Sequence, residues 1–120
     1  MTTIVNVRVA YLRPQYQNLR EWCENPNNVY IGRKGVVFIE GVRYPPQNSP
    51  WSNPFKLSAS VTREQCIEKY REYIIHKIQT DNLVNELLTL KNKNLGCWCA
   101  PEPCHGDVLK ELIDEYSFAI

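Results

Sequence analysis

Leu95-Gly-Cys-Trp-Cys-Ala-Pro-Glu-Pro-Cys-His-Gly-Asp107 is the stretch on which the fold of this chain turns. It holds three of the five cysteines and one of the two histidines, and it joins an apolar run to an amphipathic one. Leu95 to Cys99 has the length of a short strand, while Asp107 to Phe118 sets Val108, Leu109, Leu112, Ile113 and Tyr116 on one helical face. A strand that passes through a proline-punctuated loop into a helix is a unit of α/β proteins, and the remaining chain supplies elements to flank it.

Immediately upstream, Thr62 with Gln65 three residues on has the spacing of a capping box, and Cys66, Ile67, Tyr70, Tyr73, Ile74 and Ile78 then recur at helical spacing. A second helix is expected from Asp81, burying Leu83, Val84, Leu87, Leu88 and Leu90, with a break at Gln79-Thr80. Further back, Thr3 to Leu12 alternates through Val5, Val7 and Val9, which predicts a strand, and a central one. Pro14 stops it, and Tyr16 to Glu24 fits a short helix that ends before Pro26. Asn28 to Arg33 reads as a second strand, and Val36 to Ile39 with Val42 to Tyr44 as a hairpin turning at Glu40-Gly41. Four prolines between Pro45 and Pro54 make a loop that carries Trp51. The expected fold is a single α/β domain over residues 1–120: one small mixed β-sheet packed by three to four helices, closing with the strand-loop-helix unit.

A hydrophobic content of 43% and a charged content of 22% argue against extensive disorder, and 120 residues suffice for one core. A formal charge of +1 provides no global field toward DNA, RNA or an anionic membrane. The N-terminal residues lack the apolar run of a signal peptide and no segment is long enough to span a bilayer, so no membrane partner is expected. An odd number of cysteines without a secretion signal favours reduced thiols or a metal site, and the cytoplasm is the expected compartment.

Cys97, Cys99, Cys104 and His105 are the ligand types zinc prefers, so a Cys3His site is one reading of the motif, with zinc as the candidate cofactor. Two sulfurs on one zinc sit roughly 3.8 Å apart, whereas residues i and i+2 of a strand are roughly 6.6 Å apart. The strand would have to bend, and Pro101 and Pro103 are suited to end it. The zinc-deaminase pattern is excluded, because Pro103-Cys104 is not followed by a cysteine three residues later. A catalytic reading uses Cys104, His105 and Asp107 at the start of the last helix, where unpaired amides and the helix dipole lower a thiol pKa. A packing reading makes Cys97 and Trp98 core residues and leaves His105 or Asp107 to cap the helix. Cys23 and Cys66 belong to the core on any of these readings, and His76 to a solvated helix face.

Two further stretches are candidates for ligand contact. Tyr30-Ile-Gly32-Arg33 places a glycine and a guanidinium at a strand end, where ligands collect in open α/β sheets; Gly permits close approach and Arg forks to phosphate or carboxylate. Trp51-Ser-Asn53-Pro-Phe55 offers two rings and an amide, fit either to stack a base or to cover the core. If Arg33, Trp51 and Asn53 converge with the start of the last helix, the result is an anion-plus-aromatic pocket.

Taken together, Tyr30-Ile-Gly-Arg33, Trp51-Ser-Asn-Pro-Phe55, the helix Arg63 to Tyr73 and Leu95 to Leu109 resemble a family of small proteins of phages, bacteria and large DNA viruses, catalogued as a domain of unknown function, number 4326. The resemblance covers roughly residues 28–116. It implies no particular activity, but the family motif takes in the positions of Arg33, Asn53, Cys97, Cys99, Cys104, His105 and Asp107 together. Ser52 departs from the family's usual glycine, and a hairpin-like segment is inserted between Arg33 and Trp51. The expected function is binding of a nucleotide-like or phosphorylated small molecule at the Cys/His-rich junction. The alternatives are an enzyme acting on such a ligand, with Cys104 as nucleophile and His105 as acid/base, and a zinc-stabilised interaction module with the Trp51 loop as its face. Nucleic acid, through Trp51, Tyr30 and Arg43, is the weaker expectation given the near-neutral charge.

Overall fold

The computed structural model describes residues 1–56, 58–100 and 102–118. In chain order the elements are β1 (Thr3–Asn6), α1 (Val9–Leu12), α2 (Leu19–Glu24), β2 (Asn28–Tyr30), β3 (Val37–Ile39), β4 (Val42–Tyr44), α3 (Arg63–Thr80), α4 (Val84–Leu88), β5 (Asn94–Cys97) and α5 (His105–Phe118). They form a mixed α/β protein with two small sheets. β5 lies between β1 and β2 and is parallel to both, in the register Asn6↔Cys97 and Tyr30↔Gly96. β3 and β4 make a separate antiparallel ribbon. The expected single mixed sheet is therefore corrected to an all-parallel sheet and a detached hairpin, because the chain leaves the sheet at Gly32 and the hairpin pairs only with itself.

Each strand of the parallel sheet alternates between two apolar layers. Ile4, Val29 and Leu95 face the larger core, where Tyr70, Ile74 and Ile78 of α3 meet Val108, Leu109, Leu112 and Ile113 of α5. Val5, Tyr30 and Gly96 face a smaller core of Val7, Leu12, Leu19 and Trp22 under α1 and α2. Full burial of such aliphatic side chains stabilises by ~1.5–3 kcal/mol each, and Leu95, Leu109 and Ile113 are fully enclosed.

The first strand stops at Asn6 instead of running from Thr3 to Leu12 as expected, and it lies at the sheet edge rather than at its centre. Asn6 ends it: its Oδ1 accepts the Arg8 amide at 2.9 Å, the local turn by which Asn competes with strand pairing. Val7 then turns into the smaller core, and the next residues coil into α1. Pro101, expected to help end the last strand, lies outside the described residues.

The helices follow the sequence signals more closely. Thr62 Oγ1 accepts the Gln65 amide and Gln65 Oε1 accepts the Thr62 amide, the full capping box. α3 runs through Thr80, and Asn82 then adopts φ 56°, with the Leu83 amide donating to the Ile78 carbonyl as in a Schellman motif. This termination leaves only Val84–Leu88 for the helix expected from Asp81, although Leu87 and Leu90 are buried as anticipated. The hairpin turns at Glu40 (φ 54°) and Gly41 (φ 79°), the left-handed pair a tight two-residue turn requires. Among the described residues no helix is long and apolar enough to cross a membrane.

Candidate functional site

Because the three strands are parallel, Asn6, Cys97 and Tyr30 end at one edge of the sheet. Beyond that edge lies a cleft of about 450 Å³ whose lining includes Gly32, Arg33, Asn53, Cys99, Cys104 and His105. Phe55, Ile67, Val36 and Trp98 supply apolar wall, and Cys97 and Cys66 reach it from the core. Arg33 and the strand-to-helix junction thus converge as the sequence suggested.

Arg33 is fixed by the loop that follows the hairpin. Its Nε donates to the Asn53 carbonyl and its Nη2 to the Phe55 carbonyl, both at 2.9 Å. Asn53 Oδ1 accepts the Phe55 amide at 2.9 Å, so the side chain holds the turn that presents both carbonyls. Gly32 is dictated by close approach: a Cβ there would fall 2.5 Å from Tyr30 Cζ.

Tyr30 and Trp51, both candidates for ligand contact, are committed elsewhere. The Tyr30 hydroxyl donates to the Arg33 carbonyl and accepts from Trp98 Nε1, each at 2.8 Å, so it braces the strand end from below. Burial pushes its pKa upward despite the Trp98 bond. Trp51 is only 6% exposed and packs in the larger core, while its carbonyl accepts the buried Tyr70 hydroxyl at 2.7 Å. It covers the core and presents no stacking surface or protein-docking face. Arg43 lies on the hairpin over the Phe38 ring, 4.7 Å from its centroid, and is not among the residues lining the cleft.

In the junction itself, Cys97 at the end of β5 and Cys104 just before α5 bring their sulfurs to 3.4 Å. Cys104 Sγ accepts the Gly106 amide at 3.3 Å and Asp107 Oδ2 accepts the Cys104 amide at 3.0 Å, so the two side chains cap the helix start, the sulfur taking the second amide of the helix and the carboxylate reaching back to the residue before it. Asp107 therefore holds the helix start and is not among the residues lining the cleft. The Cys104 hydrogen bond draws the Cys97 thiol down to about 6, helped by the Cys99 and Ala100 amides and opposed by burial. Cys104 moves the other way, since its bond to Cys97 retains its proton and burial adds to the effect.

His105 Nε2 lies 2.8 Å from the Ile31 carbonyl, which can only accept, so the proton sits on Nε2. Burial lowers the His105 pKa, the Ile31 bond opposes this, and the nearby Arg33 charge lowers it further. No hydrogen bond joins His105 to Cys104 among the described residues; the Cys104 sulfur meets Cys97 and the His105 Nε2 proton meets Ile31. Of the four candidate zinc ligands, Cys97 and Cys104 meet at a separation near the ~3.8 Å of two zinc-bound sulfurs. His105 is turned to Ile31, and among the described residues no three of His, Cys, Asp and Glu are grouped to hold a metal ion.

Two cleft residues were not singled out from sequence as binding groups, Lys56 and Arg63. Lys56 directly follows the Trp51–Phe55 motif, and Arg63 opens α3 with Nη1 3.2 Å from the Pro103 carbonyl, tying that helix to the cysteine loop. With Arg33 they give the described lining three cations, and it contains no carboxylate. Cys23 and Cys66 pack with the two cores, and His76 is exposed, as expected.

The chain belongs to the family described as a domain of unknown function (DUF4326), whose model matches residues 15–115. The match begins ahead of Asn28 and so takes in α2 as well as the motif region. An uncharacterised protein of Acanthamoeba polyphaga mimivirus is 34% identical over 102 residues, covering 76% of this chain and 72% of that protein. An uncharacterised 12.4 kDa protein from the nrdA-td intergenic region of Enterobacteria phage T4 is 32% identical over 65 residues, 53% of this chain and 59% of that protein. A large DNA virus and a phage are among the sources the motif resemblance implied. No solved structure matches the chain.

Proposed function

We propose that this domain binds a nucleotide-like or otherwise phosphorylated small molecule in the cleft beyond β5 and β2, in the cytoplasm of the cell that makes it. The observation that carries the reading is the charge of the lining: Arg33, Lys56 and Arg63 surround one cavity whose described walls hold no carboxylate. An anion there gains charge-assisted hydrogen bonds with no acidic neighbour in the described lining to repel it. The position supports the same reading, since ligands of open α/β sheets sit outside the carboxyl ends of the strands. Phe55, Val36 and Ile67 supply an apolar wall suited to a flat ring.

Binding is favoured over catalysis by a Cys104-His105 pair, because the Cys104 sulfur is engaged with Cys97 and no hydrogen bond joins it to His105 among the described residues. A zinc ion on Cys97, Cys99, Cys104 and His105 would have to take His105 through Nδ1, because Nε2 carries the proton shared with Ile31; metal analysis of wild-type protein and Cys104→Ser tests that addition. Calorimetric titration with ADP and pyrophosphate, with adenosine alongside, tests the main reading. Binding of the two phosphorylated probes that weakens with salt supports it, and equal or absent binding of all three contradicts it.

A further inference from the structure

The sulfurs of Cys97 and Cys104 are 3.4 Å apart, both residues line the cleft, and both are free thiols. A disulfide needs its sulfurs at about 2.05 Å, so closure asks for an approach of about 1.4 Å. The described residues of the loop between them are tied to the fold at several points. Asn6 Nδ2 donates to the Ala100 carbonyl at 2.7 Å, the Glu102 amide to the Cys99 carbonyl at 2.7 Å, and Arg63 to the Pro103 carbonyl. The two sulfurs sit on a strand end and a helix start that the cores hold in place, so small side-chain rotations join them. Burial to 1% and 3% exposure leaves the cleft as their route to solvent, which admits a small oxidant and excludes a bulky one.

We infer that Cys97 and Cys104 are a redox-active dithiol that reduces a small peroxide and closes to an intramolecular disulfide. One sulfur attacks a peroxide oxygen as its thiolate; the O–O bond breaks, the departing oxygen leaves as hydroxide and takes up a proton to become water, and a sulfenic acid remains. The second sulfur attacks the first, the S–S bond forms, the S–O bond breaks and a second water leaves. The two thiols have then supplied two electrons and two protons to one peroxide. A thiol reductant reopens the bond.

The inference rests on the sulfur geometry alone and involves no anion, so it stands or falls separately from the ligand reading. Wild-type protein is titrated with hydrogen peroxide until thiols begin to be lost, denatured, alkylated, digested and mapped by mass spectrometry. The expected product is a peptide pair joined through Cys97 and Cys104, reversed by dithiothreitol, with Cys23 and Cys66 alkylated as free thiols. Oxidised glutathione, far bulkier than hydrogen peroxide, is expected to form this bond at least tenfold more slowly. In Cys104→Ser the expected product is a sulfenic acid on Cys97 that dimedone traps. A bond that uses Cys99 instead, or oxidation of other cysteines while Cys97 and Cys104 are both alkylated, overturns the inference, and the wild-type map alone delivers that result if the variant fails to fold.

Discussion

Arg33 Nε donates to the Asn53 carbonyl oxygen at 2.9 Å, joining a strand end to a loop twenty residues later in the chain. The bond and its companion to Phe55 make one guanidinium both a wall of the cleft and the brace of the loop beside it. Lysine cannot span two carbonyls in this way. Arg33→Lys is expected to lose about 1.5–3 kcal/mol in urea denaturation, the range for a hydrogen bond to a charged group. A variant of unchanged stability would show that the loop is held without Arg33.

Gly96 of the central strand faces Trp22. A Cβ there would lie 2.5 Å from Trp22 Cη2 and 2.7 Å from Val7 Cγ1. Gly96→Ala should destabilise by about 1–3 kcal/mol, the usual cost of overpacking a closed core. A melting temperature equal to wild type would mean that the layer under α1 and α2 is looser than its burial indicates.

His105 ties stability to pH. Its pKa is lowered, chiefly by burial, so the folded protein declines a proton that the unfolded chain accepts once the pH falls below about 6.5. Stability should therefore fall as the pH drops from about 7 toward 5, and His105→Gln, which keeps an N–H for Ile31, should fall less steeply. The difference between the two proteins isolates His105 from other titrating groups. Parallel curves would contradict the burial of the imidazole as its controlling influence.

The cysteine pair should titrate as a unit in reduced, chelator-treated protein. Cys97 loses its proton at about 6 because Cys104 donates to it. Between that value and an ordinary thiol pKa the folded chain is deprotonated while the unfolded chain is not, so this pair raises stability as the pH rises through that window. Ultraviolet titration should reveal one early thiolate, displaced to higher pH in Cys104→Ala. An early thiolate that survives the substitution would transfer its cause to the loop amides.

Much of this architecture was legible where a local signal had a single interpretation. The Thr62–Gln65 box, the spacing of Tyr70, Ile74 and Ile78, and the Glu40-Gly41 turn each specify their own structure without tertiary help. The strands were less legible. Val5, Val7 and Val9 continue an alternating pattern past Asn6, and only the Asn6 side chain's bond to Arg8 stops it. That β5 rather than β1 is central depends on pairings between residues some ninety positions apart, which no local pattern encodes. The site divided in the same way. The converging glycine, arginine, cysteines and histidine were visible as unusual residue types at element ends. Lys56 and Arg63 look like ordinary surface cations until the fold sets them around one cavity, and an aromatic in a proline-rich loop reads alike whether it faces ligand or core, as Trp51 does.

Amide chemical-shift mapping during titration with ADP decides whether the cleft beyond β5 and β2 receives a phosphorylated ligand. The account predicts saturable shifts concentrated at Gly32, Arg33, Lys56, Cys99 and His105, weakened at least tenfold in affinity by Lys56→Ala combined with Arg63→Ala. Shifts centred on the β3–β4 hairpin, or none at millimolar ADP, would contradict it.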